Sequence, residues 1–174
     1  MTFLKRFLKL NSPSHRKADP SAASVAPDAS TRVELAGYVF ELPAWFAEPE
    51  LRSTDEFSMF KTVAGNLNFD VLVAPGRGDE LIDDYFGAAL RRFEDGRARG
   101  FDLKHMGQPF RGWLIDQSPT LSSTPGSFVQ YYGTIAEGDA VCFSWAAFES
   151  VSDDSNFETL LLTIVYAAIA RGRP

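Results

Sequence analysis

What most constrains this chain is an alternation of period two, punctuated by short turns. In "YVFELP" Tyr38, Phe40 and Leu42 share one side, and in "LNFDVLV" Leu67, Phe69, Val71 and Val73 alternate with Asn68, Asp70 and Leu72. "FSMFKTV" runs just ahead of the second stretch, with Gly65 and Asn66 near the break between them. Successive side chains of a strand point to opposite faces, so this spacing specifies strands with a buried face, and the turn residues between two of them specify a hairpin. Strands linked this closely are antiparallel, because parallel neighbours need a crossover of a dozen or more residues.

The period then changes. In "GRGDELIDDYFGAALRRFEDG" the residues Leu81, Ile82, Tyr85, Phe86, Ala89, Leu90 and Phe93 fall on one helical face, Asp79 suits the N-cap, and acids at the start and Arg91 and Arg92 near the end complement the helix dipole. Strand-like runs resume as "FDLKHMGQPF", "GWLIDQS", "SFVQYYGTI" and "AVCFSWAAFES", with "SPTLSSTPG" as a loop and "AEGD" as a tight turn. A second helix closes the chain. Ser155 and Glu158 have capping-box spacing, and Phe157, Leu160, Leu161, Ile164, Val165, Ala168 and Ile169 form its buried face. Strands, helix, strands, helix predicts an α+β domain, an antiparallel β-sheet covered by two main helices.

Charge divides the chain differently. Of 17 basic and 23 acidic residues, five basic and two acidic fall in residues 1–31, which leaves 12 and 21, a net charge of −9, for residues 32–174. An acidic body repels phosphate backbones, so no nucleic acid is expected as a partner. Residues 1–31 are read as a tail: an amphipathic start, then a Ser-, Ala- and Pro-rich linker without apolar periodicity. In "MTFLKRFLKL", wound as a helix, Phe3, Leu4, Phe7, Leu8 and Leu10 occupy one arc and Lys5, Arg6 and Lys9 the other. That layout suits weak contact with an anionic membrane or docking on a protein, and both stay open. The basic residues leave no continuous apolar stretch of the kind a secretory signal needs, and the single cysteine, Cys142, excludes a disulfide-built fold. The expected location is cytoplasmic, with a peripheral position at the inner membrane as the variant the tail allows.

No catalytic residue, metal site or cofactor is expected. His15 lies in the linker and His105 in a strand-like run, with no second ligand at metal spacing. Cys142 sits between Val141 and Phe143, where a thiol is a small core residue rather than a nucleophile. Asp83 and Asp84 are adjacent on a helix, about 100° apart, and do not face each other; they and Asp153 and Asp154 read as dipole-complementing helix starts. "PGRGDE" lacks the Lys and Ser or Thr of a phosphate loop and reads as a strand-to-helix turn. The aromatics offer a binding surface instead. Trp113, Tyr132, Phe143 and Trp145 lie on three strand-like runs. If helices leave one side of the sheet open, these four are candidates for partner binding; if helices cover both sides, they are core.

Three stretches resemble the PsbP/DcrB-like family: "YVFELPAWF", the helix "LIDDYFGAALRRFEDG" leading into "GFDL", and the paired strands "FVQYYGTIAEGDAVCFSWAAF". The resemblance spans roughly residues 33–170 and departs around Trp45, where Ala44 precedes and "FAEPE" follows. It implies an α/β sandwich and binding work on other proteins, including small GTPases, photosystem assembly and chaperone-adaptor roles in type VI secretion. The function expected is a non-catalytic adaptor or chaperone-like module whose partner is another protein. The alternative is an enzyme, such as a hydrolase, with a site assembled from dispersed residues.

Overall fold

The structure, a computed structural model, describes residues 30–92, 98–116, 128–147 and 154–172. Residues 1–29 of the expected tail, the "SPTLSSTPG" loop, Phe93 and Asp153 lie outside the described residues, while Ser30 and Thr31, expected in the tail, open the first strand.

Among the described residues nine strands and two helices follow in the order β1 (Ser30–Leu35), β2 (Tyr38–Pro43), β3 (Glu50–Ser53), β4 (Ser58–Ala64), β5 (Leu67–Ala74), α1 (Gly78–Arg92), β6 (Ala98–His105), β7 (Gln108–Asp116), β8 (Phe128–Ala136), β9 (Asp139–Ala147) and α2 (Asp154–Arg171). The expected α+β class is the observed one. β3 to β9 form a seven-stranded sheet in the order β3-β4-β5-β9-β8-β7-β6, and β1 and β2 form a separate hairpin. Every neighbouring pair is antiparallel. The sheet is thus two meanders, β3–β5 and β6–β9, joined where β5 lies against β9.

Turn chemistry sets the registers. The β1–β2, β6–β7 and β8–β9 hairpins turn on Ala36-Gly37, Met106-Gly107 and Glu137-Gly138, each pair with φ > 0 at both residues. Two such residues make the type I′ turn, whose twist matches that of the flanking strands. The "AEGD" turn falls where expected. The run "FDLKHMGQPF" does not stay one strand, because Met106-Gly107 folds it back and Gln108 begins the return strand. On this β6–β7 hairpin the two strand glycines, Gly100 and Gly112, each face an aromatic ring across the ladder. Phe101 pairs with Gly112 and Trp113 with Gly100, and an added Cβ at either glycine would press on that ring.

The two helix starts differ from expectation in detail. α1 begins at Gly78, so Asp79 lies inside the first turn rather than capping it. The Gly78 N–H donates to the Gly138 carbonyl at 3.0 Å, which pins the helix start to the β8–β9 turn. Asp139, 2% exposed, braces the same corner: its carboxylate accepts from the Tyr38 hydroxyl at 2.9 Å and from the Gly76 N–H at 2.8 Å. "PGRGDE" is the strand-to-helix turn it was expected to be. In α2, the Glu158 carboxylate accepts from the buried Tyr132 hydroxyl.

Two cores result, one on each side of the sheet. On one side the β1–β2 hairpin and α2 cover Phe60, Leu67, Phe69, Val71, Val73, Phe110, Tyr132, Val141, Phe143 and Trp145. On the other, α1 covers Met59, Leu72, Val129, Tyr131, Ala140 and Cys142 with Leu81, Ile82, Tyr85 and Phe86.

Candidate functional site

The register fixes where each expected site residue goes. Tyr132 pairs with Phe143, and their rings stack at 4.8 Å with 12° between planes. Both are buried, as is Trp145, in the core beneath α2 and the hairpin. The Gln130 side-chain oxygen lies 2.7 Å from the same Tyr132 hydroxyl. Burial first, then the bond to Glu158, pushes its ionisation far above the ordinary phenol value. Trp113 lies on the opposite side of the sheet, over Gly100 and against Phe86 at 6.3 Å. The four candidates therefore form no common aromatic surface, which corrects that expectation: three are core and the fourth is a partly buried wall residue on the other face. The tail candidates Phe3, Leu4, Lys5, Arg6, Phe7, Leu8 and Lys9 lie outside the described residues.

The other candidates resolve individually. Cys142 is fully buried, and burial drives its thiol pKa far up, so the thiolate that chemistry would need is suppressed. His105 packs β6 on α2: its Nε2 is 3.0 Å from the Thr163 hydroxyl, and its ring meets Tyr166 edge-on at 6.2 Å. Among the described residues no three His, Cys, Asp or Glu side chains converge as metal ligands.

The open site comes from a mismatch of widths. Seven strands about 4.8 Å apart make a sheet about 29 Å wide. A helix with its side chains is only about 10–12 Å across. Among the described residues, one face has a hairpin and a helix to cover it, and the other has α1, seated over β8 and β9. No described element covers the flank over β6 and β7.

A groove of about 600 Å³ occupies that flank. α1 supplies one wall through Asp79, Ile82 and Asp83; Asp102 and Lys104 rise from β6, Pro109 and Arg111 from β7, and Gly133 and Ile135 from β8. Alternation explains the set. Phe101 and Leu103 turn toward the α2 core, so Asp102 and Lys104 between them must face the groove. Gly133 leaves room for Ile82 and Phe86, whose atoms lie 3.3–3.4 Å from where its Cβ would be. This brings α1 down on β8 and sets the depth of the groove.

The floor is apolar and the rim charged. Ile135 is 38% exposed and Met106, at the β6–β7 turn beyond the groove, 66%. Arg111 holds Asp83 at 2.5 Å across the groove. Three carboxylates, Asp79, Asp83 and Asp102, thus line it against two cations, Lys104 and Arg111. Thr134, the one hydroxyl here, is engaged: it donates to the Pro109 carbonyl at 2.5 Å and accepts from the Gln108 amide at 2.6 Å. The arrangement can hold an extended or helical segment by apolar contact and charge. Charge alternation along β6 was the only sequence signal for it, and a single sequence does not tell such a wall from an ordinary solvated face.

A polar row crosses the same face further in. Lys61, Asp70, Ser144, Tyr131 and Trp113 are successive cross-strand partners on β4, β5, β9, β8 and β7. Tyr85 of α1 bonds to Ser144 there, and burial raises its phenol well above the usual value. Asp70 is partly buried; desolvation pushes its carboxyl up to about 6, against the pull of Lys61.

No family model and no curated protein matches the chain. Two solved structures are similar to it in fold. The solution structure of cyanobacterial PsbP (CyanoP) from Synechocystis sp. has a TM-score of 0.49 and 12% identity, over 84% of this chain and 95% of that one. The crystal structure of the Ran-binding protein Mog1p from Saccharomyces cerevisiae has a TM-score of 0.47 and 9% identity, over 82% and 93%. Neither likeness is close enough to place the chain in a family.

Proposed function

We propose that this domain is a non-catalytic protein-binding module of the adaptor type, and that its partner lays a short segment with an apolar face into the groove beside α1. The observation that carries the reading is the bare flank itself: an apolar floor at Ile82, Pro109 and Ile135, fenced by charged side chains from α1, β6 and β7. Few polar groups around an apolar floor set orientation while apolar burial supplies affinity. Among the described residues, Cys142 lies in the core, His105 packs against α2 and Thr134 is bonded to its own sheet.

The test is site-specific photo-crosslinking in the cell of origin, with a photoreactive residue at position 135 or 106, and at position 51 as control. Leu51 is 57% exposed, on β3 at the far edge of the sheet. The expected result is one protein crosslinked from 135 and 106 but not from 51, with the adduct at 106 lost in Ile135→Glu. Crosslinks from 51 alone, or adducts at 106 that Ile135→Glu leaves unchanged, would overturn it.

A further inference from the structure

We infer that the groove beside α1 has an occupant within the same chain: residues 1–10 dock there and compete with the partner. This rests on the reading of the groove as a peptide-binding site. Three observations carry it.

The first is charge. "MTFLKRFLKL" holds Lys5, Arg6 and Lys9 and no acid. The groove is lined by Asp79 and Asp83 of α1 and by Asp102 of β6, against Lys104 and Arg111. Arg111 neutralises Asp83, but the rim keeps an excess of carboxylates, within a body whose net charge is −9 over residues 32–174. Opposite potentials on two surfaces both steer and orient their association.

The second is pattern. Helical winding puts Phe3, Leu4, Phe7, Leu8 and Leu10 on one arc. An amphipathic helix in an apolar groove is read as anchors at i, i+3, i+4 and i+7, and Phe3, Phe7 and Leu10 supply three of these along a single edge. Ten residues are too few to hold a helix alone in water, so the segment gains order only where its apolar arc is covered. The groove floor at Ile82, Pro109 and Ile135 is apolar surface of the kind that arc needs.

The third is reach. β1 begins at Ser30 in the hairpin layer, on the side of the sheet away from the groove. Residues 11–29 connect it to the basic segment. A linker of that length spans about 25 Å on average and about 65 Å fully extended. The body, at about 14 Å radius of gyration for its size, can be rounded within that length. Tethering then makes docking intramolecular, at an effective concentration in the millimolar range, so contacts too weak to hold a free peptide still fill the groove much of the time.

The experiment uses the full chain. A spin label is placed on Thr2→Cys in a Cys142→Val background, and amide signals are read in the ¹⁵N-labelled protein. Selective loss of the Asp102, Lys104 and Ile135 amide signals, with Leu51 and Ser53 spared, is expected. The loss should vanish in high salt, and in the double variant Asp79→Lys, Asp102→Lys. Unaffected groove amides, or bleaching centred elsewhere on the body, overturns the inference. So does bleaching that appears only when labelled and spin-labelled chains are mixed, which makes the occupant a second copy. Co-sedimentation of the chain with phosphatidylserine vesicles, without groove bleaching, assigns the segment to a membrane instead and equally overturns it. Crosslinks from position 135 to another protein separate the two readings. If they persist when groove bleaching is absent, only self-docking fails; if both are absent, the groove is not a binding site.

Discussion

The two faces of the seven-stranded sheet are covered unequally. Beneath α2 and the β1–β2 hairpin, Phe60, Phe69, Tyr132, Phe143 and Trp145 are at most 1% exposed. Aromatic contacts there run continuously, with Phe60–Phe69, Phe69–Phe143 and Phe143–Phe110 all edge-to-face within 5.8–6.2 Å. Beneath α1 the core is narrower, a polar row enters it, and the flank over β6 and β7 is open. The closed face carries stability. The exposed side chains of the open flank can change at little cost in folding, and that freedom suits the proposed binding surface. Substitutions on the two faces should therefore fall into separate classes, and each prediction below tries to break that division.

The largest effect belongs to the closed face. Trp145→Ala should cost about 3–5 kcal/mol, the range for removing a buried large aromatic side chain and leaving a cavity. Chemical denaturation monitored by far-ultraviolet circular dichroism measures it. A cost below about 1 kcal/mol would mean that this core collapses around the loss and is not the rigid half of the molecule.

Asp70 tests the polar row on the α1 side. Its carboxyl is raised from 3.8 to about 6, chiefly by desolvation. Between those values the folded state binds more protons than the unfolded one. This group's contribution to stability is thus complete below about pH 4 and is lost as pH rises through about 6. For a partly buried side chain the loss amounts to about 1–3 kcal/mol at neutral pH. Asp70→Asn should match the parent at pH 4 and exceed it at pH 7.5 by that amount, read from urea midpoints. Lower stability of the Asn variant at pH 7.5 would show that attraction to Lys61 outweighs desolvation.

Cys142 lies at the centre of the same row system, between Leu72 and Gly133 in the register, fully buried under α1. Cys142→Ala removes one sulfur and should cost about 1 kcal/mol. In the native protein a thiol reagent should label it only as fast as the domain opens. Labelling at the rate of a free peptide thiol would mean that α1 leaves the sheet readily, and the α1 face would then be a hinged cover.

How much of this was legible in the chain follows from what alternation encodes. Period two fixed which residues share a side, so Tyr38, Phe40 and Leu42 and the inward set of β5 read correctly. It does not encode what lies over a side. Tyr132, Phe143 and Trp145 were candidates for a surface because the placement of α2 and the hairpin is set by long-range packing, which no local pattern carries. β3, all of whose four residues are exposed, has no buried alternation to announce it. The turn at Met106 was hidden because a methionine rarely adopts φ > 0, and only the following Gly107 signals the bend. The groove was illegible for a geometric reason: it exists because one helix is narrower than seven strands, and strand order decides which flank is left over.

The smallest effect belongs to the open flank. Arg111 and Asp83 make an ion pair at 2.5 Å, the shortest-range charged contact in the groove, yet their side chains are 53% and 74% exposed. Exposed pairs of this kind contribute about 0.2–1 kcal/mol, because solvent screens the attraction and holding two long side chains costs entropy. Arg111→Ala should therefore shift the unfolding free energy by no more than about 0.5 kcal/mol, and less in high salt. Gly112, the next residue, faces the other way beneath the Phe101 ring, where a Cβ has no room. Gly112→Ala should cost several times more than Arg111→Ala, although the two positions are adjacent on one strand. Denaturation of the two variants side by side decides it. Equal costs would mean that the groove wall bears as much of the fold as the covered face, and the division between a stabilising side and a binding side would not hold.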